Sequence, residues 1–394
     1  MTRSTLNSQV IRLAIAQALA GANSGVVYAS GAIIGHSMAP DPALATMPIS
    51  MFVVGMASST LPVGALTRRH GRKIVLLLGS FCGLVAGLTG AGALMVGSFA
   101  LFCLAMLFGG AYAAVVLTFR FAATECVAAE ERPKALSTVL AGGVAAGVLG
   151  PQLVTLTMNM AAPRLFVVTY LAAGVAAVLA AIVLAGAEFR RPAVQSAMPA
   201  RQPVPGLWRR PKLLVAMLAG VVSYMMMNFM MTSAPLAMQL CGFPRTSSNV
   251  GIEMHIVAMY APSFFTGRFI TRFGATNVIL SGLGLTALAA IVGLSGTSLL
   301  HFWVSLVLLG LGWNFGFVGA SALVVASHAP EEGPRIQSIN DFVVFSAMVV
   351  GSLVSGSLLA TYGWSLVSGL VLPPVLVAMT AALWLRRMEA SAIS

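Results

Sequence analysis

Twelve stretches of more than twenty residues in this chain are almost free of Asp, Glu, Lys and Arg. They run near 9–34, 43–66, 74–95, 98–123, 135–158 and 164–187, then, after a polar interval, near 213–238, 248–270, 276–296, 300–326, 336–360 and 364–385. A hydrocarbon layer about 30 Å thick is crossed by roughly 20 apolar residues in a helix. Lipid offers the backbone no hydrogen-bond partner outside the helix. Each stretch therefore predicts a transmembrane helix, and the fold class is an all-α membrane protein with 12 such helices. The 394 residues leave only loops and tails besides, and 8% of them are charged, against about 25% in soluble globular domains. An ordinary soluble enzyme is excluded. The stretch from Ile11 runs on past Ile33 with no small-residue cleavage pattern, so it reads as the first membrane helix and not as a signal peptide.

A net charge of +12 on a soluble surface would point to nucleic acid. Here topology accounts for it and no nucleic-acid partner is expected. If the loops alternate sides, 19 of the 22 basic residues fall on one side; Arg164 and Arg245 lie opposite, and Arg120 lies inside the fourth stretch. Positive residues stay on the cytoplasmic side, so both termini and the central polar interval are expected there. That interval, with the sequence FRRPAVQSAMPARQPVPGLWRRPK at its heart, mixes Pro, polar and basic residues in the manner of a linker. The expected organisation is an N-terminal six-helix bundle over 1–187, a cytoplasmic linker over 188–212 and a C-terminal six-helix bundle over 213–394. Cys82, Cys103, Cys126 and Cys241 are scattered and form neither a disulfide framework nor a zinc spacing.

The two halves echo each other. GALTRRHGRK from Gly64 follows the second stretch, and GRFITRFGAT from Gly267 follows the eighth, 203 residues later. Two repeats of parallel topology are one of the known ways of building a secondary transporter. The first loop resembles the signature G-x-x-x-D-R-x-G-R-K of the major facilitator superfamily through Gly64, Arg69, Gly71, Arg72 and Lys73. The resemblance covers essentially the whole chain, and it implies two pseudo-symmetric bundles that rock about a central site. Arg68 stands where the signature has Asp, and Thr271 stands there in the second copy, so the gating ion pair of relatives cannot form in the same way. Glu125, Glu130 and Glu131 are the acids available to Arg72 instead. The loop is either a conformational latch or a solvated charge cluster.

Three further positions follow from the resemblance. Arg120 matches a membrane-embedded Arg of the family, although the Gly of its R-x-x-x-G pattern is absent; it either faces the bundle interior with a partner or snorkels to the cytoplasm. GGVAAGVLGP, ending at Gly150 and Pro151, is similar to a shorter form of the family's antiporter glycine signature, or is plain packing of small residues. The substrate cavity is implied between the halves, lined by helices 1, 4, 7 and 10. The polar and aromatic residues inside those stretches are Asn23, Ser24, Tyr112, Asn228, Trp313 and Asn314, which are either ligand contacts or interhelical glue.

No nucleophile with a nearby His and carboxylate, no phosphate-cradling loop and no metal-ligand spacing stands out. The chain is expected to be no enzyme, with no cofactor and no metal. Uphill transport then draws on a gradient, and carboxyl groups within apolar stretches are the natural proton carriers: Glu253, with His255 beside it, and Asp341. Each is otherwise a helix-end anchor. Met225, Met226, Met227, Met230 and Met231 around Asn228 give a deformable apolar wall or an ordinary filler. The segments RFAATE, MMTSAPLAM and NDFVVFS are similar to a bacterial branch of the superfamily that includes riboflavin importers. The expectation is a monomeric secondary transporter of the bacterial inner membrane. It would carry a small amphipathic organic solute, with proton coupling and with direction open between vitamin import and drug or metabolite efflux. A membrane sensor without transport is the minor alternative.

Overall fold

The computed structural model describes residues 8–128, 131–187, 209–329 and 332–391. The linker up to residue 208, Glu130, and the side chains of Arg68 and Glu125 lie outside the described residues. Fourteen α-helices account for nearly all of them: α1 Ser8–Met38, α2 Met47–His70, α3 Arg72–Val96, α4 Phe99–Val116, α5 Phe119–Glu125, α6 Arg132–Thr157, α7 Val167–Ala185, α8 Pro211–Leu240, α9 Arg245–Tyr260, α10 Ser263–Phe273, α11 Ala275–Ser295, α12 Leu299–Val325, α13 Gly333–Gly369 and α14 Leu372–Ser391. Among the described residues, ten helical stretches are long and apolar enough to cross a membrane. Large apolar side chains such as Phe81 and Ile182 are 61% and 63% exposed, as the surface of a protein solvated by lipid requires.

The helices depart from the twelve sequence stretches at three places, each with a local cause. The fourth stretch breaks at Thr118, whose hydroxyl and amide both turn back to the Val115 carbonyl, at 2.7 and 2.9 Å; a hydroxyl that competes for backbone groups disturbs the helical ladder. The eighth breaks at Pro262, which has no N–H to give, leaving α9 and α10 as separate pieces. The last two stretches run together along 339–389, with the backbone turning at Gly363, where φ is +74°.

Helices α1–α7 pack mainly on one another, with α1 on α6 and α7, α2 on α4, and α3 on α4 and α7; α8 and α11–α14 form a second set, with α9 on α12. Glycine sets how closely these helices approach. A Cβ on Gly282 of α11 would run into the Gly316 backbone of α12, and one on Gly110 of α4 into the Phe52 carbonyl of α2. The run on α6 serves two neighbours. Gly142 and Gly150 lie against the Ala14 and Ala22 carbonyls of α1, whereas Gly143 and Gly147 face Tyr260 and Ile256 of α9. Small residues allow dispersion to act between backbones where no hydrophobic force separates lipid from protein.

The internal repeat is visible in the backbone. Gly71, between α2 and α3, has φ +85° and ψ 161°; Gly274, between α10 and α11, has φ +81° and ψ 150°. L-residues do not tolerate this region. In both, the glycine amide closes the preceding helix, on Thr67 O at 3.0 Å and Ile270 O at 2.9 Å.

Just before the start of α8, Arg210 forms an ion pair with Glu332 through bonds of 2.6 and 2.7 Å, which holds the chain entering α8 to the turn before α13. A second pair, Lys212 with Glu389 at 3.2 Å, ties the same segment to α14. The hydrogen bonds from Arg210 hold the Glu332 carboxyl down at about 2. The stabilisation it gives is therefore complete above the ordinary carboxylate range and is lost as pH falls from 4.5 towards about 2.

Two outcomes are expected. Gly282→Leu should lower the melting temperature of detergent-solubilised protein, since overpacking costs about 1–3 kcal/mol, while Gly92→Leu, with nothing within 4 Å of its Cβ position, should leave it unchanged; equal effects would show that close approach does not matter. The difference in melting temperature between the unaltered protein and Glu332→Gln should be constant near neutrality and shrink in acid, and a difference that grew there would refute the pairing.

Candidate functional site

A cavity lies between the two sets, lined by Gln17, Ser24 and Tyr28 of α1, Phe52 and Met56 of α2, Ala113 and Val116 of α4, Gly143 and Ala146 of α6, Tyr224, Met227 and Met231 of α8, and Ile256, Met259 and Tyr260 of α9. It holds about 90 Å³ of water-accessible space. Three phenols from three helices define it. The Tyr224 hydroxyl is within electrostatic reach of Tyr260, Tyr28, Arg120 and Asp341, so these groups converge on one region.

An aromatic slab stands behind the phenols. Trp313 stacks on Phe317 with ring centroids 5.3 Å apart and planes 18° from parallel, and the Tyr224 ring stands perpendicular to both, at 5.3 and 4.8 Å. Tyr260 meets Trp313 at 6.1 Å, and Tyr28 meets Phe52 edge-on at 5.8 Å. Edge-to-face contacts of this kind fix ring orientation beyond what burial alone does. The slab is built on the glycines of α12: Gly312 lets α11 approach at Gly282 and Thr286, and Gly316 lies against Ser223 of α8.

At one end of the cavity, a hydrogen-bonded seam joins the sets. Tyr28 Oη donates to Asn228 Oδ1 at 2.8 Å. Gln152 Nε2 donates to Glu253 Oε2 at 2.7 Å, and Asn249 Nδ2 donates to Thr155 Oγ1 at 2.9 Å, both between α6 and α9. Ser50 of α2 and Ser352 of α13 lie 3.0 Å apart, and the Arg245 guanidinium sits 6.0 Å from the centre of the Phe166 ring. The loops bearing most of the basic residues are at the opposite end.

The structure distributes the residues singled out from sequence as follows. Ser24 lines the cavity. Asn23 is half-buried on the next position of α1, with no partner for Nδ2. Asn228 is fully buried behind Tyr28; its Oδ1 is taken and its Nδ2 is not. Trp313 stands one layer back, with Nε1 unpartnered. Tyr112 turns into the N-terminal set, with its ring on Gly83 of α3. Asn314 is saturated: its amide donates to Met259 O at 2.6 Å and Ser263 Oγ at 2.7 Å and accepts from Thr266 Oγ1 at 2.6 Å, so it braces the break at Pro262. No α12 residue lines the cavity, whereas α2, α6 and α9 do. This lining differs from helices 1, 4, 7 and 10, because the break in the eighth stretch brings Tyr260 inward and Trp313 behind it.

The ionisable candidates separate by element. Glu253 reaches across the seam to Gln152, while His255, fully buried, turns the other way, to Leu306 O at 2.7 Å within its own set. Asp341 on α13 and Arg120 on α5, from different sets, are within electrostatic reach of one another. On the basic end, Gly64 and Arg72 are half-buried, Arg69 and Lys73 are exposed at the α2–α3 corner, and Glu131 is exposed at the start of α6. Gly150 and Pro151 pack on Gly25 of α1. Sequence reasoning missed Tyr28, Tyr224, Tyr260, Gln152 and Asn249. Phenols and amides inside apolar stretches were the available signal, but nothing in a helix apolar on every side says which face turns inward.

The family model for the Major Facilitator Superfamily matches residues 13–262 and 254–393. Over 370 residues the chain is 40% identical to the riboflavin transporter RfnT of Brucella anthropi, an alignment spanning 93% of this chain and 92% of that protein. It is 29% identical to each of two uncharacterized MFS-type transporters of Bacillus subtilis, YddS and YdeG, over 93% of this chain and 88% and 90% of theirs. Among solved structures, a mutant of the nucleoside transporter NupG superposes with a TM-score of 0.73 over 95% of this chain and 99% of that one; at 12% identity this is a likeness of fold alone. The tandem helix sets, the paired glycine corners and a family match running almost end to end agree: the chain belongs to the major facilitator superfamily.

Proposed function

We propose that this protein carries riboflavin, or a flavin of the same kind, across the bacterial cytoplasmic membrane by alternating access. The observation that carries the reading is the cavity between the helix sets, walled by phenols and methionines, backed by the Trp313 indole, and sealed at one end by a few hydrogen bonds. A flat, amphipathic ring system suits such a wall, and the 40% identical relative named as a riboflavin transporter supports the choice of solute. Organic ligands fill sites of roughly 300–1,000 Å³, so loading widens this cavity and the sets must move apart.

On this reading the chain crosses the membrane twelve times. The α9–α10 pair makes one crossing, and the 51-residue stretch 339–389 makes two, divided at Gly363, since about 77 Å of helix exceeds twice a 30 Å core. Both termini and the 188–212 linker are cytoplasmic, joining halves at 1–187 and 213–394, and the hydrogen-bonded seam is the outer gate. The α2–α3 corner with Arg69, Arg72 and Lys73 then serves as the inner latch. The glycine run ending at Gly150 and Pro151 is engaged by α1 and α9 throughout, so it adds nothing in favour of export.

Proton coupling is assigned to Glu253, because it alone among the candidate acids hydrogen-bonds across the outer seam. A carboxylate there accepts a charge-assisted bond from Gln152; a proton on it weakens that bond and releases the seam. His255 holds α9 to α12, and Asp341 makes no hydrogen bond across the outer seam.

The first test is a thermal-shift screen of purified protein, followed by uptake in a flavin-requiring strain; a bound ligand raises apparent stability. Riboflavin should stabilise the protein and restore growth, and hits confined to unrelated antibiotics would replace this reading with efflux. Glu253→Gln should abolish gradient-driven accumulation while sparing solute exchange, and unchanged accumulation would remove Glu253 from the coupling.

A further inference from the structure

Among the described residues two amides of the seam are left half-used, Asn249 at Oδ1 and Asn228 at Nδ2, and of these Asn228 is the one whose partner, Tyr28, lines the cavity. It is fully buried, at 0% exposure. Its oxygen accepts the Tyr28 hydroxyl across the sets at 2.8 Å, and its nitrogen has no partner. Buried amide donors in folded proteins are paired as a rule, and one left unpaired costs about 1–3 kcal/mol. Tyr28, the residue that covers this amide, itself lines the cavity. Tyr224, one helical turn earlier, carries the aromatic slab of Trp313 and Phe317.

We infer that Asn228 reads the solute through a two-point hydrogen bond to a lactam or imide edge of a planar heteroaromatic ring, and that the Tyr28 hydroxyl is the stand-in that occupies the amide when no solute is there. This rests on the transport reading given above. A primary amide presents one acceptor and two donors side by side, and an asparagine uses such a pair to read an adenine edge bidentately. A ring edge carrying C=O next to N–H is its complement. Opening the seam breaks the Tyr28 bond, and both atoms of the amide become available together on the outer side. The solute edge replaces the phenol at Oδ1 and satisfies the orphan Nδ2. The ring face then lies beside Tyr224 and its slab, with the methionines of α8 as a deformable floor.

This arrangement separates solute classes. A carbonyl-free aromatic cation brings no acceptor for Nδ2 and gains nothing from the amide. A polyol has hydroxyls but no rigid donor–acceptor edge. Only planar rings bearing the edge release Tyr28 and fill the amide, so an empty carrier reseals on its own phenol and does not leak.

The test compares riboflavin with a flavin methylated at the ring imide nitrogen, which keeps the ring and both carbonyls but loses the edge N–H. Binding is measured by flavin fluorescence quenching on unaltered protein, Asn228→Leu and Tyr28→Phe. Unaltered protein should prefer riboflavin by about tenfold or more. Asn228→Leu should lose that preference and bind both weakly. Tyr28→Phe, which removes the competitor and keeps the amide, should retain the preference and bind riboflavin as tightly or more tightly. Equal affinity of the unaltered protein for the two flavins overturns the assignment without any variant, so it stays refutable if Asn228→Leu fails to fold. Preference surviving in Asn228→Leu, or equal loss in Tyr28→Phe, also overturns it, the latter because a purely structural bridge would suffer alike from either change. Binding of neither flavin would sink the flavin reading itself and this assignment with it.

Discussion

Inside hydrocarbon, a polar group must find its partner within the protein, and the rest of this structure follows from that requirement. The backbone meets it by forming helices almost throughout. The hydroxyls meet it locally: Ser30, Thr60, Thr67, Thr155 and Ser321 each bond a carbonyl four residues back. Where a helix is interrupted at Pro262, Asn314 of the neighbouring helix supplies the missing partners. Packing takes over where polarity is spent, and it relies on glycine, because only a missing side chain brings two backbones near enough for dispersion to act in a medium as apolar as the protein.

Against that rule, the unpaired groups stand out by position. Asn228 Nδ2, Asn23 Nδ2, Thr232 Oγ1 and Trp313 Nε1 are buried without partners, and they belong to the helices that meet near the cavity. Some other buried orphans, such as Trp364 Nε1 beside Gly293, lie away from it, so an orphan alone identifies nothing. Convergence with the phenols and the seam is what distinguishes the first group.

Much of the architecture was legible in the sequence. Apolar length located the helices, and the echo between the loops at Gly64 and Gly267 foretold two corners with matching glycine geometry at Gly71 and Gly274. What was not legible was facing. A membrane helix is apolar on its lipid side and its core side alike, so period gives no direction, and Trp313 and Asn314 read as cavity residues when they stand behind it. Tyr112 is another case: a phenol at mid-depth, turned into the N-terminal set by the space at Gly83. Only the break at Pro262, whose geometric consequence cannot be read from a proline alone, decided that Tyr260 would enter the cavity.

The seam and the Arg120–Asp341 couple, at the two ends of the cavity, both weaken when water enters and strengthen as it leaves. Neutral hydrogen bonds such as Tyr28 to Asn228 weaken when solvent enters, because water offers each partner a substitute at little cost. Arg120 on α5 and Asp341 on α13 lie on different helix sets, and an attraction between a cation and a carboxylate across that gap is screened while the end is wet and grows as it dries. On the transport reading, then, each end is held shut by interactions that strengthen as it closes, and intermediate openings are disfavoured at both. Alternation becomes an exchange of one closed end for the other, and a solute that replaces Tyr28 at Asn228 acts at the level of the cavity where the two closures meet.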